Sequence, residues 1–401
     1  MNTGRRTAAA ALPARRRGFT LVEALVALAV GSLLTLAMFG LLTMTETSRR
    51  QARNASELQQ IGAYVALLLD KTLRHAGSGF AQAAAQSYGC RLGAARSGVT
   101  VLPPGGALPA PFDTLRPGSD GLYRLAPVLI AAGQGPAVSA ELRSDVLIVM
   151  SGHAGLGEAP VPFDGLPGAD SLRLRSVQGF RANDLILVTD PQDEGGSQGR
   201  CLLQQVASDF VASGAPGSAD LRLGGAFHAA SIGLDLLADF SLDSLVLNLG
   251  QPGGSPSLQL IGVGARQTLY SYDLMRLDDQ PLQAIGDSVL ELHALYGIAS
   301  TPGGGVDQWV APSSEGWRIE QLGDGSATSA QRLQQIKAVK LGLILRSAKP
   351  DNPDPAPATL TLFSELDPAL QLQRQLDAGA LNYRYRSVEL TVPLRNHLML
   401  D

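Results

Sequence analysis

Two cysteines, five histidines and one glycine-flanked serine are the side chains of this sequence best suited to chemistry. Cys90 and Cys201 are too few for a four-cysteine zinc site, and no histidine lies near either of them. The histidines form no H-E-x-x-H motif and are spread over positions 75, 153, 228, 293 and 397. Residues 195–199 match G-x-S-x-G, but that motif must join a strand directly to a helix, and a second strand is predicted here. The sequence therefore predicts no catalytic site, no bound metal and no cofactor.

Two further groups of side chains could bind a ligand. Asp190, Asp193 and Glu194 lie together, but they lack the twelve-residue calcium loop with its terminal Glu, and we interpret them as a solvated acidic turn. Trp309 and Trp317 lie eight residues apart in a Gly/Ser-rich stretch. Exposed tryptophans are favoured at interaction hot spots, whereas buried ones are ordinary core residues. Both interpretations of the tryptophan pair stay open.

The charge of the chain does not predict nucleic-acid binding. Lys and Arg number 32 against 36 Asp and Glu, so the formal net charge is −4. Arg173, Arg175 and Arg181 could form a local basic patch, but arginines on strands usually face solvent. Direct binding to DNA normally requires a broad basic surface. We therefore predict no direct nucleic-acid binding.

The N-terminus is basic and is followed by a long apolar run. Residues 1–18 contain five arginines and no acid, and removing those charges takes the net charge from −4 to −9. Residues 24–45 carry no charge, and 22 helical residues extend about 33 Å, enough to cross a bilayer core. This run is too long for the apolar region of a secretory signal. Because the arginines precede the span, we expect a cytoplasmic N-terminus and a main body outside the cytoplasm.

Glu23 is the one acid at the start of this apolar run. An ionised carboxylate inside a membrane is costly, so such a residue is by default a candidate for function with a partner to be named. The alternative is that Glu23 lies at the level of the lipid headgroups and has no special role. The residue type alone does not decide between the two.

Residues 15–23, Arg-Arg-Arg-Gly-Phe-Thr-Leu-Val-Glu, resemble the class III signal of type IV prepilins and pseudopilins. The resemblance implies that a prepilin peptidase cuts between Gly18 and Phe19 and that the new terminus at Phe19 is N-methylated. It also makes Glu23 the fifth mature residue, which this family uses for subunit registration. Such a cut would remove all five arginines and leave an apolar helix with one amine. In a filament, that amine could meet Glu23 of a neighbouring subunit.

The remaining pattern predicts an α+β fold, with a long N-terminal helical spine packed on a β-rich, mostly antiparallel head of the type IV pilin kind. Leu58, Ile61, Val65, Leu68 and Thr72 are spaced as one face of a helix that ends near residue 75. The predicted segments are a leader 1–18, an apolar helix 19–47, an amphipathic helix 48–76 and a head 77–401, with two lobes divided near 210–240. The predicted strands are 145–150, 184–189, 202–207, 258–263, 268–274, 289–298, 338–346 and 383–392, and residues 331–340 are a candidate helix.

Cys90 and Cys201 permit two interpretations. In an oxidising periplasm a disulfide between them is plausible. The alternative is two free, buried thiols, because the sequence does not show whether they lie close together.

The chain is far longer than a major pilin and resembles the PilW class of minor pilins. The likeness lies in the signal, in residues 76–90 and 338–347, and in the closing segment 383–396. It implies an inner-membrane protein that joins other minor pilins, the major pilin and a PilY-type adhesin in a priming or tip complex. Pilus biogenesis, twitching, adhesion or DNA uptake would follow. The alternatives are a J-type pseudopilin of a type II secretion system and a periplasmic enzyme tethered by the helix.

Overall fold

The computed structural model describes residues 20–137, 143–152, 159–192, 198–212, 217–252, 256–276, 281–301, 303–350 and 355–398. The chain divides into two units, Met1–Ala55 and Ser56–Asp401. An apolar N-terminal helix is followed by a β-rich, mostly antiparallel part, so the predicted α+β class is confirmed.

Helix α1 spans Leu21–Arg74. It contains no proline, which is why one helix can extend over 54 residues. It is followed by Gly77 and Gly79, which adopt φ values of 81° and 83°. Such left-handed conformations are accessible to glycine at little cost, so the chain can turn back towards the sheets after α1.

The buried face of α1 differs from the predicted one. Leu58 and Val65 are buried as predicted, but the row continues through Leu69 and Leu73, which are 1% and 0% exposed. Leu68 and Thr72 are partly buried beside this row, as Ile61 is. Leu69 and Leu73 satisfy the helical period on a face rotated by one residue, so the most buried row lies next to the predicted one.

The other helices are short: α2 Ala84–Ser87, α3 Ile319–Leu322, α4 Ala327–Gln335 and α5 Arg395–Leu398. The strands are β1 Arg91–Arg96, β2 Val99–Leu102, β3 Val128–Ala131, β4 Val146–Ser151, β5 Val161–Pro162, β6 Ser171–Leu174, β7 Leu185–Gln192, β8 Gln198–Gln205, β9 Ala219–Arg222, β10 Ser231–Ile232, β11 Asp235–Leu236, β12 Leu245–Gly250, β13 Ser257–Val263, β14 Leu269–Asp273, β15 Leu282–Gly286, β16 Val289–Ile298, β17 Gln308–Val310, β18 Ile336–Arg346, β19 Thr359–Leu362, β20 Leu372–Gln375 and β21 Tyr385–Pro393.

Three sheets make up most of the β structure. The first has the strand order β2-β1-β8-β7-β12-β5, the second β15-β14-β13-β4-β3, and the third β17-β16-β18-β21. The pairs β10-β11, β19-β20 and β6-β9 form small hairpins or ribbons. Strands β1 and β8 are parallel, and the other neighbouring strands in the described residues are antiparallel.

All eight predicted strands are present. β16 has the predicted bounds, and the other seven have one or both ends shifted. The candidate helix 331–340 was wrong in its extent. Helix α4 ends at Gln335, and the run rich in β-branched and apolar residues that follows begins strand β18 at Ile336.

Within the second unit, helix α1 contacts two of the sheets. Val65 lies against Gly286 at the end of β15 in the second sheet. Gly62 lies against Leu345 of β18 and Val388 of β21 in the third sheet. A β-carbon at Gly62 would lie 3.1 Å from the Val388 side chain, so the absence of a side chain lets the helix approach closely.

A separate apolar cluster, which includes Phe163, Leu172, Ile186, Phe240 and Val246, lies beside the main core. The division of the head into two lobes near 210–240 stays a prediction.

Gly286→Ala should lower the free energy of unfolding by about 1–3 kcal/mol, because the added β-carbon would lie 2.5 Å from the Val65 Cγ2 atom. Val65 is fully buried and β-branched, so it cannot easily move away. Denaturant unfolding of the full-length chain in detergent would measure the change. Gly106→Ala is the matched control, since a β-carbon there has no neighbour within 4 Å. Equal stability of the two variants would contradict the close helix–sheet contact.

Candidate assembly site and other functional residues

The candidate assembly site begins at the N-terminus of helix α1. The Glu23 backbone N–H donates to the Thr20 side-chain oxygen at 3.2 Å, and the Ala24 N–H donates to the Thr20 carbonyl at 3.1 Å. Thr20 thus caps the helix, and the Thr-x-x-Glu spacing matches a capping box. Glu23 is exposed in the first turn, where a carboxylate suits the helix dipole. Gly18 and Phe19 lie outside the described residues.

The segment after Glu23 is mostly apolar, and it is exposed in the described part of the chain. Leu21–Leu42 is long and apolar enough to cross a membrane, with a mean hydropathy of 2.4, and none of it is buried. The hydroxyl of Ser32 donates to the Ala29 carbonyl at 2.8 Å, and that of Thr35 donates to Gly31 at 2.9 Å. Because these hydroxyls bond within the helix, they do not need water, and the outer surface can face lipid or other helices.

Cys90 and Cys201 form a disulfide in the structure, with their Cα atoms 5.7 Å apart. Cys90 directly precedes β1, and Cys201 lies opposite Leu92 on the neighbouring parallel strand β8. The pairing of β1 with β8 therefore brings together two residues 111 positions apart. In the chain-entropy account, closing a loop of this length removes about 4–5 kcal/mol of unfolded-state entropy.

The acidic turn is partly structural. The two carboxylate oxygens of Asp190 accept hydrogen bonds from the Ser241 hydroxyl at 2.8 Å and the Ser241 backbone N–H at 3.2 Å. Arg200 lies 3.4 Å from the same buried carboxylate. Asp190 therefore fixes the segment before β12. Asp193, Glu194 and Ser197 lie outside the described residues, and strands β7 and β8 on either side of them pair as a hairpin.

The described histidine side chains at positions 75, 228 and 293 lie in three different surroundings. His75 contacts the Lys71 carbonyl, whereas His228 contacts Gln204 and Asp170. His153 lies outside the described residues, and the side chain of His397 is not described. Within the described ranges, no group of three or more His, Cys, Asp or Glu side chains is arranged to hold a metal ion.

Both tryptophans pack within the chain. Trp317 is partly buried beside Tyr296, with ring centroids 6.0 Å apart. Trp309 lies over Gly297, and the Lys340 ammonium is 5.6 Å from its ring centroid. These contacts favour the core interpretation.

The three arginines of the candidate basic patch differ in their surroundings. Arg173 pairs with Asp220 at 3.2 Å, and the Arg181 backbone N–H donates to Asp184. Arg175 is exposed.

A buried group of charges escaped the sequence analysis. His293 on β16 has its Nε2 atom 3.2 Å from Glu291 and its Nδ1 atom 3.6 Å from Asp145. The Arg374 Nε atom on β20 lies 2.9 Å from the other Glu291 oxygen. Asp145 also accepts hydrogen bonds from backbone N–H groups, including that of Ala294 at 3.0 Å. The group joins the second sheet, the third sheet and the β19-β20 hairpin.

The surroundings of His293 favour its charged form. Burial lowers the pKa of the imidazole, but the hydrogen bonds and negative charges of Asp145 and Glu291 outweigh burial and raise the pKa to about 9. The His293 imidazolium lies between the carboxylates of Asp145 and Glu291, and Arg374 pairs with Glu291 on its other side. We interpret this group as a structural ion network.

No short motif marks this group. Its members are spread over positions 145 to 374, and only the i, i+2 spacing of Glu291 and His293 within an apolar strand indicates two polar side chains on one buried face.

Comparison with known protein families finds two matches. Residues 261–396 match the family Type IV Pilus-assembly protein W, and residues 13–39 match the Prokaryotic N-terminal methylation motif. Curated proteins and solved structures gave no match.

These matches confirm the resemblance to type IV minor pilins of the PilW class. The first covers helix α4 and the third sheet, and the second covers the cleavage signal and the first part of α1. Together they support the role of a pilin in type IV pilus assembly, with the apolar helix as a membrane anchor. Both matched families are structural components of pili and not enzymes.

The stability contributed by His293 should depend on pH. Its folded-state pKa of about 9 lies above the ordinary 6.5, so its contribution of about 3 kcal/mol is complete below pH 6.5 and is lost as the pH rises through 9. We expect the free energy of unfolding of the detergent-solubilised chain, followed by tryptophan fluorescence in urea, to fall over this range. His293→Gln should be less stable at pH 6 and should lose this dependence. An unchanged slope in the variant would contradict the buried imidazolium.

Proposed function

We propose that this chain is a minor pilin of the PilW class. In this proposal a prepilin peptidase removes residues 1–18 by cutting between Gly18 and Phe19, and Phe19 is then N-methylated. The apolar helix, residues 19–47, holds the protein in the inner membrane and then enters the pilus. The amphipathic helix 48–76 carries the head 77–401, which lies in the periplasm before assembly.

The observation that carries this proposal is the position of the helix start. Thr20 caps α1 and Glu23 lies in its first turn, so the helix begins where the mature chain would begin. The leader would therefore be removed without cutting into the described helix. From that cap onward, the mostly apolar span Leu21–Leu42 is exposed in the described part of the chain, which suits a segment that moves from lipid into a helical bundle.

Glu23 has two roles to separate. Its capping-box position supports a local role, in which the carboxylate helps to satisfy backbone N–H groups of the first turn. The filament role uses its charge, because a carboxylate in an apolar bundle is stabilised by a cation such as the terminal amine of a neighbouring subunit. We propose the filament role, and substitutions that preserve capping but not charge distinguish the two.

We further propose that the protein acts in a priming or tip complex with other minor pilins and the major pilin, together with a PilY-type adhesin. The PilW match over the third sheet favours a pilus system over the J-type pseudopilins of type II secretion. Twitching, adhesion or DNA uptake would depend on the pilus that this complex initiates.

Mass spectrometry of the N-terminus should find a methylated Phe19 in cells with prepilin peptidase and an uncut chain in cells without it. Gly18→Leu should remain uncut in both, because the resemblance places the cut directly after Gly18 and the substitution replaces that residue with a bulky one. A mature chain that still begins upstream of Gly18 in peptidase-positive cells would refute the processing step.

Glu23→Ala and Glu23→Gln should both be inserted and cleaved but should enter pili poorly, because both lack the charge. Gln retains the ability to cap the helix, so normal incorporation of Glu23→Gln alone would show that capping is the role of this residue. Glu57→Ala is the matched control, since Glu57 is an exposed acid on the same helix outside the apolar segment. Immunoblots of sheared pili and of membranes would measure incorporation.

A further inference from the structure

Strand β21 forms one edge of the third sheet. Its nine residues, Tyr385–Pro393, pair with β18 on one side, and no strand lies on the other side in the described part of the chain. The pairing with β18 is regular from Ala338–Pro393 to Arg346–Tyr385, without a bulge. An edge of this length and regularity offers a template for another strand, and proteins usually interrupt such edges.

The register shows which backbone groups of β21 face outward. The Ser347 N–H donates to the Arg384 carbonyl, and the Leu394 N–H donates to the Lys337 carbonyl. The even-numbered residues therefore bond to β18, because inward and outward groups alternate along an antiparallel strand. The N–H and C=O groups of Tyr385, Ser387, Glu389 and Thr391 face away from β18, and no hydrogen bond from them to the rest of the described chain is seen.

Next to β21, both faces of the third sheet contact other parts of the chain. A strand added at this edge would therefore extend a sheet that is already packed. Val388 contacts helix α1 at Gly62 on one face. Glu389 lies on the opposite face and accepts a hydrogen bond from the Phe363 N–H at 2.9 Å, next to the β19-β20 hairpin. The edge between these faces is open, since Arg386, Ser387, Glu389 and Thr391 are all exposed.

The charge along the edge is uneven. Arg384 and Arg386 lie at its start, and the Arg346 guanidinium stacks 4.5 Å from the ring of nearby Tyr383. No ion pair of Arg386 is found in the described ranges, although the chain as a whole is acidic. An incoming strand with a carboxylate opposite Arg386 would form a favourable cross-strand pair.

A second copy of this chain fits the edge less well. Full-length antiparallel pairing of β21 with itself would place Glu389 directly opposite Glu389 of the copy, and like charges at opposed positions are destabilising. We propose that the outer edge of β21 binds an extended, acidic segment of another protein as an additional antiparallel strand. The backbone groups of the odd-numbered residues supply the hydrogen bonds, and Arg386 selects the acidic residue. This proposal concerns the head alone and does not depend on the proposed pilus role.

The test uses the full-length chain in detergent and two labelled nine-residue peptides of alternating Thr and Val. One peptide carries two Glu residues near its C-terminal end, which would lie beside Arg386, and the other carries two Lys residues there. We expect fluorescence anisotropy to show saturable binding of the acidic peptide only. Single-residue hydrogen exchange should show that the peptide protects the amides of residues 385, 387, 389 and 391, whereas those of 386, 388 and 390 are protected in the free chain.

Three variants make the test specific. Ser387→Pro removes one outward N–H but no hydrogen bond to β18, so it should weaken the acidic peptide about tenfold without lowering the melting temperature. Ser387→Ala keeps the N–H and should bind normally. Arg386→Glu should reverse the preference between the two peptides. Equal binding by the proline and alanine variants, concentration-dependent self-association through this edge, or no saturation at about 1 mM peptide would overturn the proposal.

Discussion

The close contact of helix α1 with two different sheets is the constraint on which the head depends. Val65 lies against β15 of the second sheet, and Gly62 lies against β18 and β21 of the third. Both contacts need a glycine, on the helix in one case and on the strand in the other. A side chain at either position would separate the helix from a sheet, and the buried row that includes Leu69 and Leu73 would lose its packing on that side.

The same two sheets are also joined by polar groups. Two residues that precede β4 bond to the backbone of β16. The Ser144 hydroxyl donates to the Leu292 carbonyl and accepts from the Leu292 N–H. The Asp145 N–H donates to the same carbonyl, and the Asp145 carboxylate accepts from the Ala294 N–H. Asp145 then faces His293, whose other nitrogen contacts Glu291. Hydrogen bonds and buried charges depend more strictly on distance and angle than apolar packing does. This polar group therefore fixes the position of the second sheet relative to the third, which the packing of α1 also stabilises.

Sequence patterns predicted the parts of the fold that depend on long, regular runs. β16 and β18 are mostly apolar strands of 10 and 11 residues, and β21 alternates polar and apolar residues. β12 was missed because its apolar run of six residues includes Asn248, whose side chain reaches Asp184. The parallel pairing of β1 with β8, which joins Cys90 to Cys201, depends on contacts across more than a hundred residues, and no local pattern encodes it.

The helix that carries the candidate site was easier to predict than the head because it depends on neighbouring residues. The apolar run and the acid at its start are visible in the sequence, whereas the Thr20 cap was not predicted. Lipid surrounds such a helix as favourably as another apolar helix does, so burial alone does not drive association inside a membrane. In the proposed filament, the selective force would come from packing and from Glu23, the one charged group in the segment. Its carboxylate would be costly in hydrocarbon without a cation and favourable beside one, so it would give the assembled state an advantage that the apolar residues cannot supply.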